Sequence, residues 1–239
     1  MASLLQFSKP TDLSGYVLMI PSVSVGNLPQ LTIDLLIKTY SFEKIASIWH
    51  PAIVSMVGSD PYNSSSSEVC TACEFYSNEK LKIACIQLRS TLDYKLAKKF
   101  FDDIYNVIKE LQLKKVIILS SAFDYELHNI NKERFYFLDN TQNNSFATIS
   151  NIKQLEMNNN GKYLINGSGF SLNLYDVISR GLKCVLLGKY ISEGDNRPDA
   201  QSLLEKTFQI LDMQKKLKNI EYPSSWAYVF GGPPPIGIY

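Results

Sequence analysis

Histidine and cysteine are scarce in this sequence: its 239 residues include two of the first and four of the second. Four cysteines are too few for a disulfide scaffold at this length. No cluster of His or Cys has the spacing of a zinc site, so no metal or other cofactor is expected. Neither GxSxG nor GxxxxGK followed by Ser or Thr occurs, which removes the usual nucleophile-elbow and phosphate-loop signals. An excess of charge of one sign is missing as well. With 24 Lys and Arg against 23 Asp and Glu the net charge is +1, which leaves no electrostatic footprint for nucleic acid or an anionic membrane. No apolar run approaches the roughly 20 residues that span a bilayer. The first residues carry neither a basic segment nor a long apolar one, so no secretory signal is expected and a cytosolic or nucleocytoplasmic protein is.

What is present is the composition of a globular protein. Hydrophobic content is 45% and charged content 20%, close to the averages for folded domains. The length suits one large α/β domain or two small ones. Cys70 and Cys73 form a CxxC, within a stretch from Glu68 to Tyr76 that alternates like a strand. In a strand, residues three apart point to opposite faces, so these two thiols are not expected to meet.

The patterning predicts alternating strands and helices. Gly15 to Ile20 is a fully apolar run of the kind buried on both faces of a parallel sheet. A helix is expected from the end of Pro21–Asn27 to about Tyr40, with Leu28, Leu31, Leu35 and Leu36 as its core stripe and Pro29 in the permissive first turn. Phe42 to Val57 is strand-like with an interruption near His50 and Pro51. Val69 to Tyr76 and Leu81 to Leu88 predict a hairpin that turns through Ser77 to Lys80. Leu92 to Leu111 is the clearest helix, with Leu96, Phe100, Ile104, Val107, Ile108 and Leu111 on one face. It leads into a buried-type strand, Lys115 to Ser121, and helix followed by apolar strand is the βαβ signature. From Asn129 to Gly161 the pattern weakens, with surface excursions expected and short strands near Phe135 and Phe146. A short helix from Ser171 to Ser179, a strand from Leu182 to Leu187 and a helix from Pro198 to about Leu217 complete the chain. No repeat or linker divides it, so the expectation is one α/β domain with antiparallel additions.

Three segments could carry chemistry. Ser120 to Glu126 places hydroxyls and carboxylates at the carboxyl end of a strand, where open α/β sheets bind ligands. Strand-to-loop capping explains the same residues. Gly167-Ser-Gly169 precedes a helix and could cradle an anion, or could form a plain turn. Ser192 to Asp199 holds three acids, an arginine and an asparagine between strand and helix. It reads as a catalytic, metal or protein-docking loop, or as acids favoured by a helix dipole alone. His50 lies at a strand end and His128 follows a strand. None of these segments contains a nucleophile, a base and an orienting group together.

The last residues, from Tyr222 to Tyr239, break the pattern. Gly231, Gly232 and three consecutive prolines disfavour helix and central strand, yet no charged side chain follows Glu221. An aromatic residue and a carboxylate at the tip of a stiff polyproline-like arm suit a pocket on another protein. The competing expectation is that the arm packs on its own domain.

Six segments, in order along nearly the whole chain, resemble the proteasome assembly chaperone 2 family. They are Pro21 to Asn27 with its helix, Met56 to Tyr62, Gln87 to Ser90, Val116 to Ser121, Ser192 to Ala200, and Pro223 to Trp226 with the glycine-proline tail. The resemblance implies a single αβα-sandwich domain akin to the phosphorylase/hydrolase-like fold, over residues 1–221, with a flexible docking tail over 222–239. It implies a non-enzymatic chaperone of 20S proteasome assembly, a heterodimer with proteasome assembly chaperone 1, and binding to the outer face of the α-subunit ring. Such a pair promotes correct rings, and blocks premature docking of regulators. Family tails enter pockets between neighbouring α subunits, which would make Ile236, Ile238 and Tyr239 the contacts. The tail departs from the motif of proteasome activators, hydrophobe-tyrosine-any residue, because here Gly237, Ile238 and Tyr239 are the last three. The alternative is a hydrolase- or phosphorylase-like enzyme using strand-end loops around Ser120 and Glu193. A third reading is an adaptor whose tail binds some other receptor.

Overall fold

The computed structural model describes residues 5–8, 11–127, 134–141, 149 and 152–228. Among these residues the frame is a single sheet of nine strands. The four central strands are β7 (Ile83–Leu88), β2 (Val17–Pro21), β8 (Lys115–Phe123) and β11 (Cys184–Ile191), and they run parallel. On one side β6 (Cys73–Asn78), β3 (Glu43–Ile48) and β1 (Leu5–Phe7) continue the sheet with antiparallel pairings. On the other side β9 (Phe135–Asp139) pairs antiparallel with β11, and β10 (Ile152–Gln154) lies parallel to β9. A separate ribbon joins β4 (Val57–Ser59) to β5 (Val69–Thr71).

The apolar runs divide between two faces, because successive side chains in a strand point in opposite directions. Leu18, Ile20, Val116, Ile118, Cys184 and Leu186 belong to one core, which is closed by α2 (Tyr94–Glu110) and α3 (Ser171–Ile178). Val17, Met19, Ile117, Leu119, Val185 and Leu187 belong to the other, closed by α1 (Leu28–Tyr40) and α4 (Arg197–Ile210). Helices on both faces make this an αβα sandwich, and strands buried on both faces read as unbroken apolar runs for that reason.

Most elements lie where the pattern predicts them, and the differences have local causes. α4 stops at Ile210, seven residues before the expected end at Leu217. Asp212 takes a left-handed conformation with φ 55°. The Met213 N–H then donates to Phe208 O at 2.8 Å and the Asp212 N–H to Gln209 O at 3.1 Å. This pair of bonds closes a helix in the Schellman manner, with Asp in place of the usual glycine. The single strand expected from Val69 to Tyr76 is two strands, with Ala72 between β5 and β6. β1 and β10 lie outside the predicted set, and Phe146 and His128 lie outside the described residues. Phe101 adds a second buried aromatic to α2 beside Phe100, and its ring stands 5.3 Å from that of Phe170. No helix among the described residues is long and apolar enough to cross a membrane.

Candidate functional site

The segments singled out in the sequence assemble into two clusters. The first lies at the carboxyl ends of β2, β8 and β11. Ser24 Oγ and Ser121 Oγ are 2.7 Å apart, and Ser121 Oγ donates to Val25 O at 2.6 Å. Ser22 Oγ donates to Ser168 O at 3.0 Å. Ser120 is fully buried, donates to Ser171 Oγ at 2.9 Å and accepts from the Tyr136 hydroxyl at 3.0 Å. Burial raises the Tyr136 pKa well above the usual phenol range, so this residue acts as a neutral donor. The hydroxyls are thus paired with one another and with backbone carbonyls.

Backbone packing leaves little room around them. Gly169 has φ 60°, and a Cβ placed there would lie 1.8 Å from Val23 O. Gly26 has φ 65°, and its Cβ would lie 2.3 Å from Nδ2 of the buried Asn196. Both positions therefore require glycine, for conformation and for space. The Gly167-Ser-Gly169 turn offers its carbonyls to the first loop: the Val25 N–H donates to Gly167 O at 2.9 Å. It packs against that loop instead of opening toward an anion. The 192–199 loop is tied down too. Ser192 Oγ donates to Asp124, Arg197 pairs with Asp195 at 2.6 Å, and Lys189 pairs with Asp199 at 2.8 Å. Glu193 is exposed, and none of the hydrogen bonds of Ser120 goes to a carboxylate or an imidazole. The structure does not bring Ser120 and Glu193 together as an acid–base pair.

The second cluster is charged. Asp34, on α1 and 5% exposed, receives Arg89 Nη2 at 2.9 Å, Gln87 Nε2 at 2.6 Å and the Tyr62 hydroxyl at 2.7 Å. Arg89 Nη2 also donates to the Tyr62 oxygen at 2.7 Å. Burial works against the guanidinium charge, but the Asp34 carboxylate and Tyr62 outweigh it and hold the Arg89 pKa above its ordinary value. Tyr76 stands edge-on to Tyr62, with centroids 5.9 Å apart, and donates to Glu74, which pairs with Lys44. Burial, and then the charge of Glu74, push the Tyr76 phenol up.

This cluster holds the end of the described chain. The Ser225 N–H and the Ser224 hydroxyl both donate to Pro61 O at 3.2 Å. Upstream, the Glu221 N–H donates to Thr39 Oγ1 at 3.1 Å, and the Tyr40 hydroxyl donates to Lys216 O at 3.2 Å. Trp226 is 5% exposed, belongs to the core under α1 and α4, and stacks on Tyr222 at 5.7 Å. The first residues of the expected tail, as far as Trp226, thus contact the domain. Ile236, Ile238 and Tyr239 lie outside the described residues.

Other sequence candidates are structural. His50 accepts from the Ala52 N–H at 3.0 Å on Nδ1 and contacts Asp103 through Nε2 at 3.2 Å. All four cysteines are buried and free. Among the described residues no group of three His, Cys, Asp or Glu could hold a metal ion. Sequence reasoning missed Asp34 altogether. The signal was available: a carboxylate set among Ile33, Leu35, Leu36 and Ile37 on a helix buried nearly all round requires a partner.

Comparison with known proteins is consistent with this arrangement. Residues 18–221 match the model of the PAC2 family. The chain is 33% identical to proteasome assembly chaperone 2 of Xenopus tropicalis over 95% of both chains. It is 32% identical to proteasome assembly chaperone 2 of Homo sapiens, over 94% of this chain and 95% of that one. Among solved structures it is similar to Pyrococcus furiosus PbaA, described as an archaeal homolog of proteasome-assembly chaperone. The TM-score is 0.64 at 16% identity, over 87% of this chain and 86% of that one.

Proposed function

The chain belongs to the PAC2 family, and from that premise we propose that it is a chaperone of 20S proteasome assembly. It works as a heterodimer with proteasome assembly chaperone 1, in the cytoplasm and the nucleus. The pair binds the α-subunit ring, promotes its correct formation and blocks premature docking of regulators. The observation that carries this reading is similarity at about one residue in three to relatives named proteasome assembly chaperone 2, over nearly the full length of both chains.

Geometry supports a binding role over a catalytic one. At the strand ends, where an α/β enzyme would place its reactive groups, Ser120 is enclosed by Ser171 and Tyr136. The base of the tail, by contrast, is fixed: Trp226 sits in the core, and two hydrogen bonds to Pro61 O hold Ser224 and Ser225. A fixed base lowers the entropy lost when an arm docks. Ile236, Ile238 and Tyr239 are the residues we assign to an α-subunit pocket.

The test is co-purification of the tagged full chain, expressed with its partner chaperone, from cells assembling proteasomes. α-Ring intermediates are expected in the eluate, and their absence would refute the assignment. Removing residues 237–239 should then weaken α-ring binding by about 2 kcal/mol or more, the range of an interface hot spot. Unchanged affinity would overturn the role of the tail and leave that of the chaperone standing.

A further inference from the structure

We propose that a lysine-lined groove beside the start of the C-terminal segment binds an extended acidic polypeptide. The groove, about 1130 Å³ in volume, lies between the turn joining β6 to β7 and the segment that follows α4. Lys80 and Lys82 line it from the turn, and Lys215, Lys216 and Lys218 from the segment. All five are exposed, and none is ion-paired among the described residues. Lys44 and Lys189, by contrast, are answered within the fold, by Glu74 and Asp199.

The two walls are held in place. The Tyr40 hydroxyl donates to Lys216 O and accepts from the Lys218 N–H, both at 3.2 Å. On the facing wall Lys82 adopts φ 54°, and its carbonyl accepts from the Val17 N–H at 3.0 Å. Lys82 Nζ lies 4.9 Å from the centre of the Tyr16 ring, and Lys218 Nζ lies 5.4 Å from that of Tyr40. Cation–π contacts of this kind steady the ammonium groups without neutralising them. The result is a cluster of five lysines, two of them held over aromatic rings, in a protein whose net charge is only +1.

The chemistry favours polypeptide over nucleic acid. Asp12, Glu43 and Glu79 share the lining with the five lysines, and they would oppose a backbone that carries about one charge per 1.7 Å. The faces of Tyr16 and Tyr40 hold ammonium groups, so they do not form an open platform for stacked bases. Carboxylates spaced along an extended chain bring fewer negative charges past Asp12, Glu43 and Glu79 while still reaching the five lysines.

The probe is a fluorescein-labelled peptide of alternating glutamate and glycine, titrated into the full chain while anisotropy is followed. Binding is expected at low salt, weaker at higher salt, and absent for the glutamine–glycine counterpart. Joint substitution Lys215→Glu, Lys216→Glu and Lys218→Glu should cut affinity by about tenfold or more, equivalent to about 1.4 kcal/mol. On the opposite wall Lys80→Gln with Lys82→Gln gives a milder loss, and it decides the matter if the triple variant misfolds. Lys98→Glu with Lys109→Glu, on the outer face of α2, should leave affinity unchanged. The proposal is overturned if the glutamate peptide fails to bind at low salt, or if the glutamine peptide binds as well. Equal loss in the α2 variant, or tighter binding of a labelled single-stranded RNA, would overturn it too.

Discussion

The serine cluster at the strand ends and the Asp34 cluster beneath the C-terminal segment are both buried and polar, but they are built on opposite principles. In the first, neutral hydroxyls satisfy one another over fixed glycine contacts, and the loops close on themselves. In the second, a carboxylate and a guanidinium leave water together, and their partners include the loop that grips Ser224 and Ser225. The neutral network is turned inward, because its hydrogen bonds run between its own hydroxyls and nearby backbone carbonyls. A charged network is costly to bury and costly to break. Here it lies beside Pro61, the residue to which Ser224 and Ser225 are bound.

The largest effect should follow from breaking the charged network. Asp34→Ala leaves Arg89 buried without its counter-charge and should cost about 3–5 kcal/mol. A loss under 1 kcal/mol in urea unfolding would show that water already serves the guanidinium. Trp226→Ala empties a filled site under α1 and α4 and should cost about 3–4 kcal/mol. If it unfolds at the wild-type urea midpoint, the C-terminal segment is not part of the core. In the sealed region, Gly169→Ala forces a Cβ against Val23 O at a positive φ and should cost about 2–3 kcal/mol. A wild-type melting temperature for this variant would mean that the loops slide apart freely. The smallest effect belongs to Ser120→Ala. It deprives Ser171 and Tyr136 of one partner and should cost about 1 kcal/mol. A loss of several kcal/mol would place Ser120 with the charged network instead.

The two regions also differ in how far they could be read from sequence. Strand polarity and layering were legible, because Val17–Pro21 and Cys184–Ile191 are apolar enough to demand cover on both faces. The stripe of α2 was legible from its period, down to Phe100, Ile104 and Ile108. Phe101 was not, since its burial depends on Phe170 arriving from another element. The serines at the strand ends could be located, but not their mutual pairing, which joins residues as far apart as Ser22 and Ser168. Asp34 and Arg89 stand 55 residues apart, and no local pattern links them. The end of α4 turned on one left-handed aspartate, a conformation that sequence marks clearly only when the residue is glycine.

Affinity of the proposed chaperone pair for isolated α rings, the partner we propose, measured side by side for Trp226→Ala and Ser120→Ala, tests this contrast most directly. Loosening the base of the tail should lower affinity by about tenfold or more, while the sealed serine cluster should contribute nothing. Full affinity in the Trp226 variant, or a loss confined to the Ser120 variant, would contradict the account.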